Sequence, residues 1–218
     1  MTVRAVLFDL DGTLIDSLED LTAAVNHMLG SFGQEALTTD RVRRLVGRGA
    51  RNLVQRALGS DEPETLDRAV TLFSDFNASH IADRSRVYPG VTELLADLKN
   101  NGIRLSVVSN KPAHLCGSIL QTLGIAPFFD TVAGGDSYPD MKPSPLPLIS
   151  ICEQLGCGTA EAVMVGDSIN DIEAGRRAGI ATIGCSWGYG DSSELDGADF
   201  LAGTSRDIFD IIRRIRER

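Results

Sequence analysis

The sequence predicts an α/β fold in which helices cover a mainly parallel β-sheet and a second, all-helical unit is inserted near the N-terminus. Two observations lead to this prediction. Short β-branched or apolar runs alternate with stretches of helical periodicity along most of the chain, which is typical of parallel sheets. One long interval, residues 17–86, breaks that alternation because it contains helical patterns alone.

The elements of the sheet unit can be assigned in order. The predicted strands are the runs RAVLFD, IRLSVVSN, DTVAGG, AVMVGD, ATIGC and ADFLAG. The predicted helices span residues 90–101, 112–123, 144–155, 170–178 and 205–216. Pro112 opens the second of these helices and Gly124 ends it, which follows the usual preference for proline at a helix start and glycine just past its end.

The helical interval is too long to be a simple connection between two strands. It contains about 70 residues, whereas most crossovers consist of a single helix and its loops. We therefore predict an inserted helical domain, residues 17–86, and a core domain made of residues 1–16 and 87–218.

Composition restricts the class of protein. The chain has 218 residues, of which 43% are hydrophobic and 23% charged, as in ordinary soluble globular proteins. A formal net charge of -9 argues against general nucleic-acid binding, which requires a basic surface. We therefore expect no nucleic-acid partner, and composition leaves a monomer and a homodimer both open as the assembly.

The cysteines and the apolar segments bear on location. The four cysteines form no CxxC pair and no cluster with histidines, which argues against a zinc site and leaves reduced thiols in the cytoplasm as the simplest interpretation. The first apolar run is interrupted by Asp9, and no segment reaches the 18 apolar residues typical of a membrane span. We expect neither secretion nor membrane insertion.

Polar residues follow four of the predicted strands. In open parallel sheets, ligands bind beyond the carboxyl ends of the strands, so these residues are expected to share one pocket. They are Asp9, Asp11, Gly12 and Thr13 after the first strand, Ser109, Asn110 and Lys111 after the second, Lys142 after the third, and Asp167 and Asp171 after the fourth.

These residue types are suited to a phosphate and its metal ion. The four carboxylates, Asp9, Asp11, Asp167 and Asp171, offer the hard oxygen ligands that Mg²⁺ prefers, and the cationic and hydroxyl groups after the other strands offer donors to an anion. One carboxylate can attack phosphorus to form an aspartyl-phosphate, and a second acid two residues on can protonate the leaving oxygen and later deprotonate water. We predict Asp9 as the nucleophile and Asp11 as the acid/base.

The same residues resemble the haloacid dehalogenase superfamily. Four motifs carry the resemblance. Residues 9–13 are similar to the first motif, DxDGT, and residues 166–171 to the fourth, GDxxxD. Ser109 stands where the second motif has a Ser or Thr after a buried strand, and Lys142, in MKPSP, stands where the third has a Lys. The resemblance implies a Rossmann-like core with an inserted cap, Mg²⁺ bound by Asp9, Asp11, Asp167 and Asp171, and a phosphoryl group held by Ser109 and Lys142. Asn110 and Thr13 are further candidates for phosphate binding.

Asp11 separates the chain from part of that superfamily. Members that cleave carbon–halogen bonds have no acid two residues after the nucleophile, and the ion pumps carry threonine there. The resemblance therefore implies a phosphatase or a phosphomutase whose partner is a small phosphorylated metabolite. Within the capped phosphatases the chain is similar to phosphoglycolate phosphatases, on the stretches LVGRGARNLVQRAL, VVSNKP, GGDSYPDMKPSP and WGYG. A carboxylate substrate needs a cationic partner, and Arg48, between Gly47 and Gly49, is the predicted one, with Arg51 as second choice.

Three alternatives remain open at this stage. Relatives with similar frames act on pyrophosphate, nucleotides or sugar phosphates. A mutase would return the phosphoryl group to its substrate rather than to water. A non-enzymatic phospho-receiver would use the acid cluster alone, but it would have no use for the large helical insert.

Overall fold

The computed structural model describes residues 2–217, and within them it contains eight strands and nine α-helices. The strands are β1 (Ala5–Phe8), β2 (Ile15–Asp16), β3 (Arg86–Val87), β4 (Arg104–Val108), β5 (Thr131–Ala133), β6 (Ala162–Gly166), β7 (Ala181–Cys185) and β8 (Phe200–Ala202). The helices are α1 (Leu18–Ser31), α2 (Thr39–Arg43), α3 (Gly49–Leu58), α4 (Pro63–Ser79), α5 (Val91–Asn100), α6 (Ala113–Thr122), α7 (Leu146–Gln154), α8 (Ile169–Ala178) and α9 (Ser205–Glu217).

Six strands form one parallel sheet, in the order β5-β4-β1-β6-β7-β8. All six predicted runs contribute a strand to it, and the five predicted core helices agree with α5–α9 within two residues at each end. The predicted α/β fold class is therefore confirmed. Because the strands are parallel, their carboxyl ends meet at a single edge, with β1 between β4 and β6.

Helices cover both faces of the sheet. Along β1 the side chains alternate, as they must in an extended chain. Val6 and Phe8 pack in the cluster that includes α5, α6 and α9, whereas Ala5 and Leu7 pack in the cluster that includes α7 and α8. Every residue of β1 is buried, which explains why this run is apolar without a polar face.

Helices α1–α4 lie between β2 and β3 in sequence and share a hydrophobic core of their own. Apolar residues of all four helices form this cluster, among them Met28, Val42, Val54 and Phe73. The predicted boundaries at residues 16 and 87 fall in the short strands that flank these helices. The ends of the predicted core range, residues 1 and 218, lie outside the described residues, and the division into two domains stays a prediction.

The two connections to these helices lie side by side. β2 and β3 pair antiparallel, with Ile15 opposite Val87 and Asp16 opposite Arg86. Next to this ribbon the buried Asp20 carboxylate accepts hydrogen bonds from the Ser85 N–H at 2.8 Å and from the Ser85 hydroxyl at 2.6 Å. The outgoing and returning chains are thus joined where they leave the sheet unit.

None of the helices within residues 2–217 has both the length and the apolar composition that crossing a membrane requires.

Candidate active site

The end of β1 delivers two carboxylates to the edge of the sheet. The Asp9 N–H continues the sheet by donating to the Val165 carbonyl at 2.9 Å, and the chain turns at Gly12, whose φ is +89°. A Cβ at Gly12 would lie 2.4 Å from Asp167 Oδ2. Only glycine lets the loop in this conformation approach Asp167, at the end of β6, this closely.

Lys142 joins three parts of the site. Its side chain is 2% exposed, and Nζ donates to Asp9 Oδ1 at 2.8 Å and to Asp171 Oδ1 at 2.6 Å. Burial alone would lower the pKa of this ammonium, but the two carboxylates outweigh it and raise the pKa. Asp171 also accepts from the Ser168 N–H and hydroxyl at 3.1 and 2.8 Å, so the same carboxylate caps α8.

Three carboxylates converge on one point. One oxygen each of Asp9, Asp167 and Asp171 lies within 4.8 Å of the others. Burial, with repulsion from neighbouring carboxylates, raises the pKa of Asp167 to about 8 and that of Asp9 to about 6. Asp167 is oriented by the Tyr189 N–H at 2.7 Å and the Thr13 hydroxyl at 2.9 Å. Three hard oxygen donors whose charges are costly to keep together fit a divalent cation such as Mg²⁺.

Asp11 faces away from this cluster toward two other donors. The Ser17 hydroxyl hydrogen-bonds Asp11 Oδ1, and the Lys111 ammonium lies 3.3 Å from Oδ2 and 3.5 Å from Oδ1. Ser17 in turn donates its N–H to the Tyr189 hydroxyl at 2.7 Å. The predicted acid/base is therefore held by the segment that leads into α1.

The end of β4 contributes hydroxyl and amide groups. Ser109 is 6% exposed and lies beside Lys142 and Asp9 in the wall of one cavity. Asn110 donates through Nδ2 to the Lys142 carbonyl at 2.8 Å and to the Gly47 carbonyl at 2.9 Å. Its amide thus links the sheet unit to the helical insert.

The predicted specificity loop lies across the site from the strand ends. Gly47 and Gly49 have φ values of +107° and +79°, and both line the same cavity as Asp9. The Gly47 carbonyl also accepts from Asn170 Nδ2 at 3.2 Å. Arg48 itself is exposed and lines a different opening.

Two cavities meet at Asp9 and Asp11. The small cavity, of about 50 Å³, extends from these carboxylates past Ser109 and Lys111 to side chains of the insert. Those side chains are Leu21, Leu53, Phe73 and Asn77. The large cleft, of about 610 Å³, opens on the other side of the insert loop. Its arginines are Arg43, Arg44, Arg48 and Arg56.

A comparison with models of protein families agrees with this site. The family model described as haloacid dehalogenase-like hydrolase matches residues 6–185. The chain belongs to that family.

Curated relatives of this family member cover most of its length. A protein of Psychrobacter arcticus named phosphoglycolate phosphatase is 44% identical over 197 residues, which are 87% of this chain and 86% of that protein. The protein of the same name from Neisseria meningitidis serogroup A is 41% identical, over 95% of this chain and 93% of its own. The predicted family resemblance is thus confirmed.

Solved structures of similar proteins share the fold. The crystal structure of a predicted phosphoglycolate phosphatase from Haemophilus somnus superposes with a TM-score of 0.92 at 32% identity, covering 97% of this chain and 98% of that one. A predicted phosphatase from Clostridium acetobutylicum superposes with a TM-score of 0.87 at 27% identity, over the whole of both chains.

The structure brings the predicted core residues of this hydrolase together, and it places beside them three residues to which the sequence assigns no role. Lys111 and Ser17 contact Asp11, and Tyr189 contacts both Asp167 and Ser17. Lys111 is in the predicted pocket because it follows Ser109 and Asn110 at a strand end, but its contact with Asp11 is not predicted. Tyr189 lies in the WGYG stretch that carries the resemblance, and Ser17 gives no signal of its own. The contacts of both depend on how two distant loops meet.

Proposed function

We propose that this hydrolase is a Mg²⁺-dependent phosphomonoester phosphatase that forms an aspartyl-phosphate on Asp9 and acts on 2-phosphoglycolate. The observation that supports it best is the pairing of Asp9 with Lys142 inside a cluster of three carboxylates, with Asp11 two residues away. One carboxylate is thereby available for attack on phosphorus, and a second is available for proton transfer.

The donor set fits the metal ion that such chemistry needs. Asp9, Asp167 and Asp171 would hold Mg²⁺ together with Asp11, which the family resemblance assigns to the metal site through its backbone carbonyl. Bound Mg²⁺ supplies positive charge that offsets the repulsion between the attacking carboxylate and the phosphoryl oxygens.

The reaction has two steps, formation and hydrolysis of the aspartyl-phosphate, and residues of the chain act in both. A carboxylate oxygen of Asp9 forms a bond to phosphorus while the bond to the leaving oxygen breaks, and Asp11 gives that oxygen its proton. Water next attacks the phosphoryl group, Asp11 takes the proton from this water, and the bond to Asp9 breaks to release phosphate. Lys142 and Ser109 donate hydrogen bonds to the phosphoryl oxygens as their charge rises. Asn110, after β4, and Thr13, in the loop after β1, are the further proposed phosphate-binding residues.

The substrate proposal draws on the relatives and on the space at the site. The curated relatives bear the name phosphoglycolate phosphatase at 37–44% identity. Of the two cavities that meet at Asp9 and Asp11, the one lined by Ser109 and Lys142, the proposed phosphoryl partners, has a volume of about 50 Å³. A leaving group of two carbons suits that space better than a sugar or a nucleoside.

The test is phosphate release from a panel of phosphomonoesters and pyrophosphate, with Mg²⁺ or with EDTA, for the parent and for Asp9→Asn. We expect 2-phosphoglycolate to give the highest kcat/KM, and we expect EDTA or Asp9→Asn to remove activity. Asp97→Asn is the matched control, because Asp97 is an exposed acid whose nearest cation, Arg206, is 3.8 Å away. Activity that persists in purified Asp9→Asn would refute the assigned nucleophile.

The large cleft favours one second candidate. Its arginines would suit a leaving group that carries further phosphates, such as a nucleotide or pyrophosphate. A higher kcat/KM for one of these compounds than for 2-phosphoglycolate would establish that alternative, and phosphate transfer to the substrate without free phosphate would indicate a mutase.

The proposed compartment is the cytoplasm. All four cysteines are unpaired, and three of them are buried, as expected of a protein that keeps its thiols reduced.

A further inference from the structure

The small cavity contains a buried cation that has no part in the reaction steps described above. The Lys111 side chain is 6% exposed, and its contacts to Asp11, at 3.3 and 3.5 Å, are longer than those of a tight ion pair. An ammonium group has three donors. Within residues 2–217 its only side-chain partner is Asp11, so part of its capacity to bind an anion is unused.

A second polar group lies in the same cavity without a partner. Asn77, in α4, is 2% exposed, and its Oδ1 accepts no hydrogen bond from the residues that the structure describes. Its surroundings in the cavity wall are apolar, with Leu53 and Phe73 on the same side. Buried amides are normally hydrogen-bonded, so an unpaired one that lines a cavity indicates a ligand. A half-turn of the amide about its Cβ–Cγ bond exchanges Oδ1 for Nδ2, so the side chain can present its N–H donors to an anionic ligand.

We propose that Lys111 and Asn77 bind the carboxylate of the leaving group. This inference rests on the proposed function, because it assigns the far end of the same substrate. In 2-phosphoglycolate a single methylene group separates the leaving oxygen from the carboxylate. Asp11 protonates that oxygen, and Lys111 lies beside Asp11. The carboxylate therefore comes within reach of the Lys111 ammonium, with Asn77 donating from the insert.

The position of Lys111 also favours it over Arg48 as the carboxylate partner. Arg48 is exposed in the large cleft, where water and salt screen its charge. Lys111 is buried, so its attraction to an anion is screened much less. A receptor shared between the strand end and α4 would also require the insert to close over the substrate before the carboxylate is fully bound.

The test compares kcat/KM for two substrates, 2-phosphoglycolate and ethyl phosphate. Ethyl phosphate has the same length as 2-phosphoglycolate but carries a methyl group in place of the carboxylate. We expect Lys111→Met to lower the ratio of kcat/KM for 2-phosphoglycolate to that for ethyl phosphate by about 10- to 100-fold. Asn77→Leu should lower it by about 10-fold. Loss of Lys111 also disturbs Asp11, but that effect reduces both substrates alike and cancels in the ratio.

Two further variants complete the experiment. Lys111→Arg keeps the charge and should restore most of the ratio, whereas Arg48→Met, the control from the rival position, should leave it within about twofold of the parent. If Lys111→Met does not fold, Asn77→Leu tests the proposal by itself.

The outcomes separate this inference from the proposed function. A parent that prefers 2-phosphoglycolate, with a ratio that only Arg48→Met lowers, overturns the inference and leaves the function standing. A parent that hydrolyses both compounds equally well overturns the carboxylate receptor and the substrate assignment together. A parent that releases no phosphate from any compound overturns the proposed function itself.

Discussion

Replacing Lys142 with methionine is expected to destabilise the metal-free protein by about 3–5 kcal/mol, because it leaves the buried Asp171 carboxylate and the largely buried Asp9 carboxylate without their shared cation. Lys142 donates to Asp9 and Asp171 at 2.8 and 2.6 Å, and its own side chain is 2% exposed. Methionine fills a similar volume, so packing changes little and the loss reports mainly on charge.

The loss of stability caused by Lys142→Met depends on pH, and the structure predicts the direction. Burial already raises the pKa of Asp9 to about 6 with the ammonium in place. Without Lys142 the Asp9 carboxyl binds a proton still more readily, so it is largely neutral at pH 5 and carries more charge at pH 8. The destabilisation is therefore expected to be larger at pH 8 than at pH 5.

Urea unfolding in EDTA measures this effect, with the fluorescence of the single tryptophan, Trp187, as the signal. A loss of about 4 kcal/mol at a slope of about 2 kcal/mol/M lowers the urea midpoint by about 2 M. Lys99→Met is the matched control. Lys99 contacts Asp130 at 3.0 Å, but both side chains are about one-third exposed, so its removal should cost at most about 1 kcal/mol.

A second variant decides whether the carboxylates cause the loss. Lys142→Met combined with Asp171→Asn removes one of the two stranded charges and should recover about half of the lost stability. The reasoning is refuted if Lys142→Met loses no more than Lys99→Met at pH 8, or if the double variant is no more stable than the single one.

Two further predictions concern Asp167. Its pKa is raised from 3.8 to about 8 in the fold, so the metal-free protein loses stability from this group as pH rises between those values. Asp167→Asn should therefore raise Tm in EDTA at pH 8.5 and have little effect at pH 4; an equal shift at both pH values would contradict the assigned cause. Gly188→Ala places a Cβ 2.2 Å from Asp167 Cβ and should weaken Mg²⁺ binding in calorimetry by about 10-fold or more. Gly117→Ala, whose Cβ meets no atom within 4 Å, is the control, and equal affinities in the two variants would refute the argument.

The sequence was sufficient for the fold class and for the approximate ends of the core helices. The reason is physical: buried parallel strands must be apolar, and the helices that cover them must have one apolar face. Parallel strands also have their carboxyl ends at one edge of the sheet, and for this reason the sequence could predict that Asp9, Lys142 and Asp171 lie in one cluster.

Contacts between distant loops were not predictable in the same way. The hydrogen bond of Asn110 to the Gly47 carbonyl depends on how the helical insert docks, and that of Lys111 to Asp11 depends on how two loops of the sheet unit meet. No local pattern encodes either contact. The phosphate-binding roles of Asn110 and Thr13 stay predictions. In the structure their side chains bind protein groups, and the Thr13 hydroxyl donates to Asp167.

The ribbon of β2 and β3 has a consequence for the architecture of the chain. Because Ile15 and Val87 pair directly, the helical insert leaves and rejoins the sheet unit at adjacent points, like the loop of an ordinary hairpin. Replacement of the insert by a short turn would therefore leave the strand order in place, although it would remove the Ser17 contact to Asp11. In a chain built in this way the insert can change in sequence and length while the strand ends that carry Asp9, Lys142 and Asp167 stay where they are.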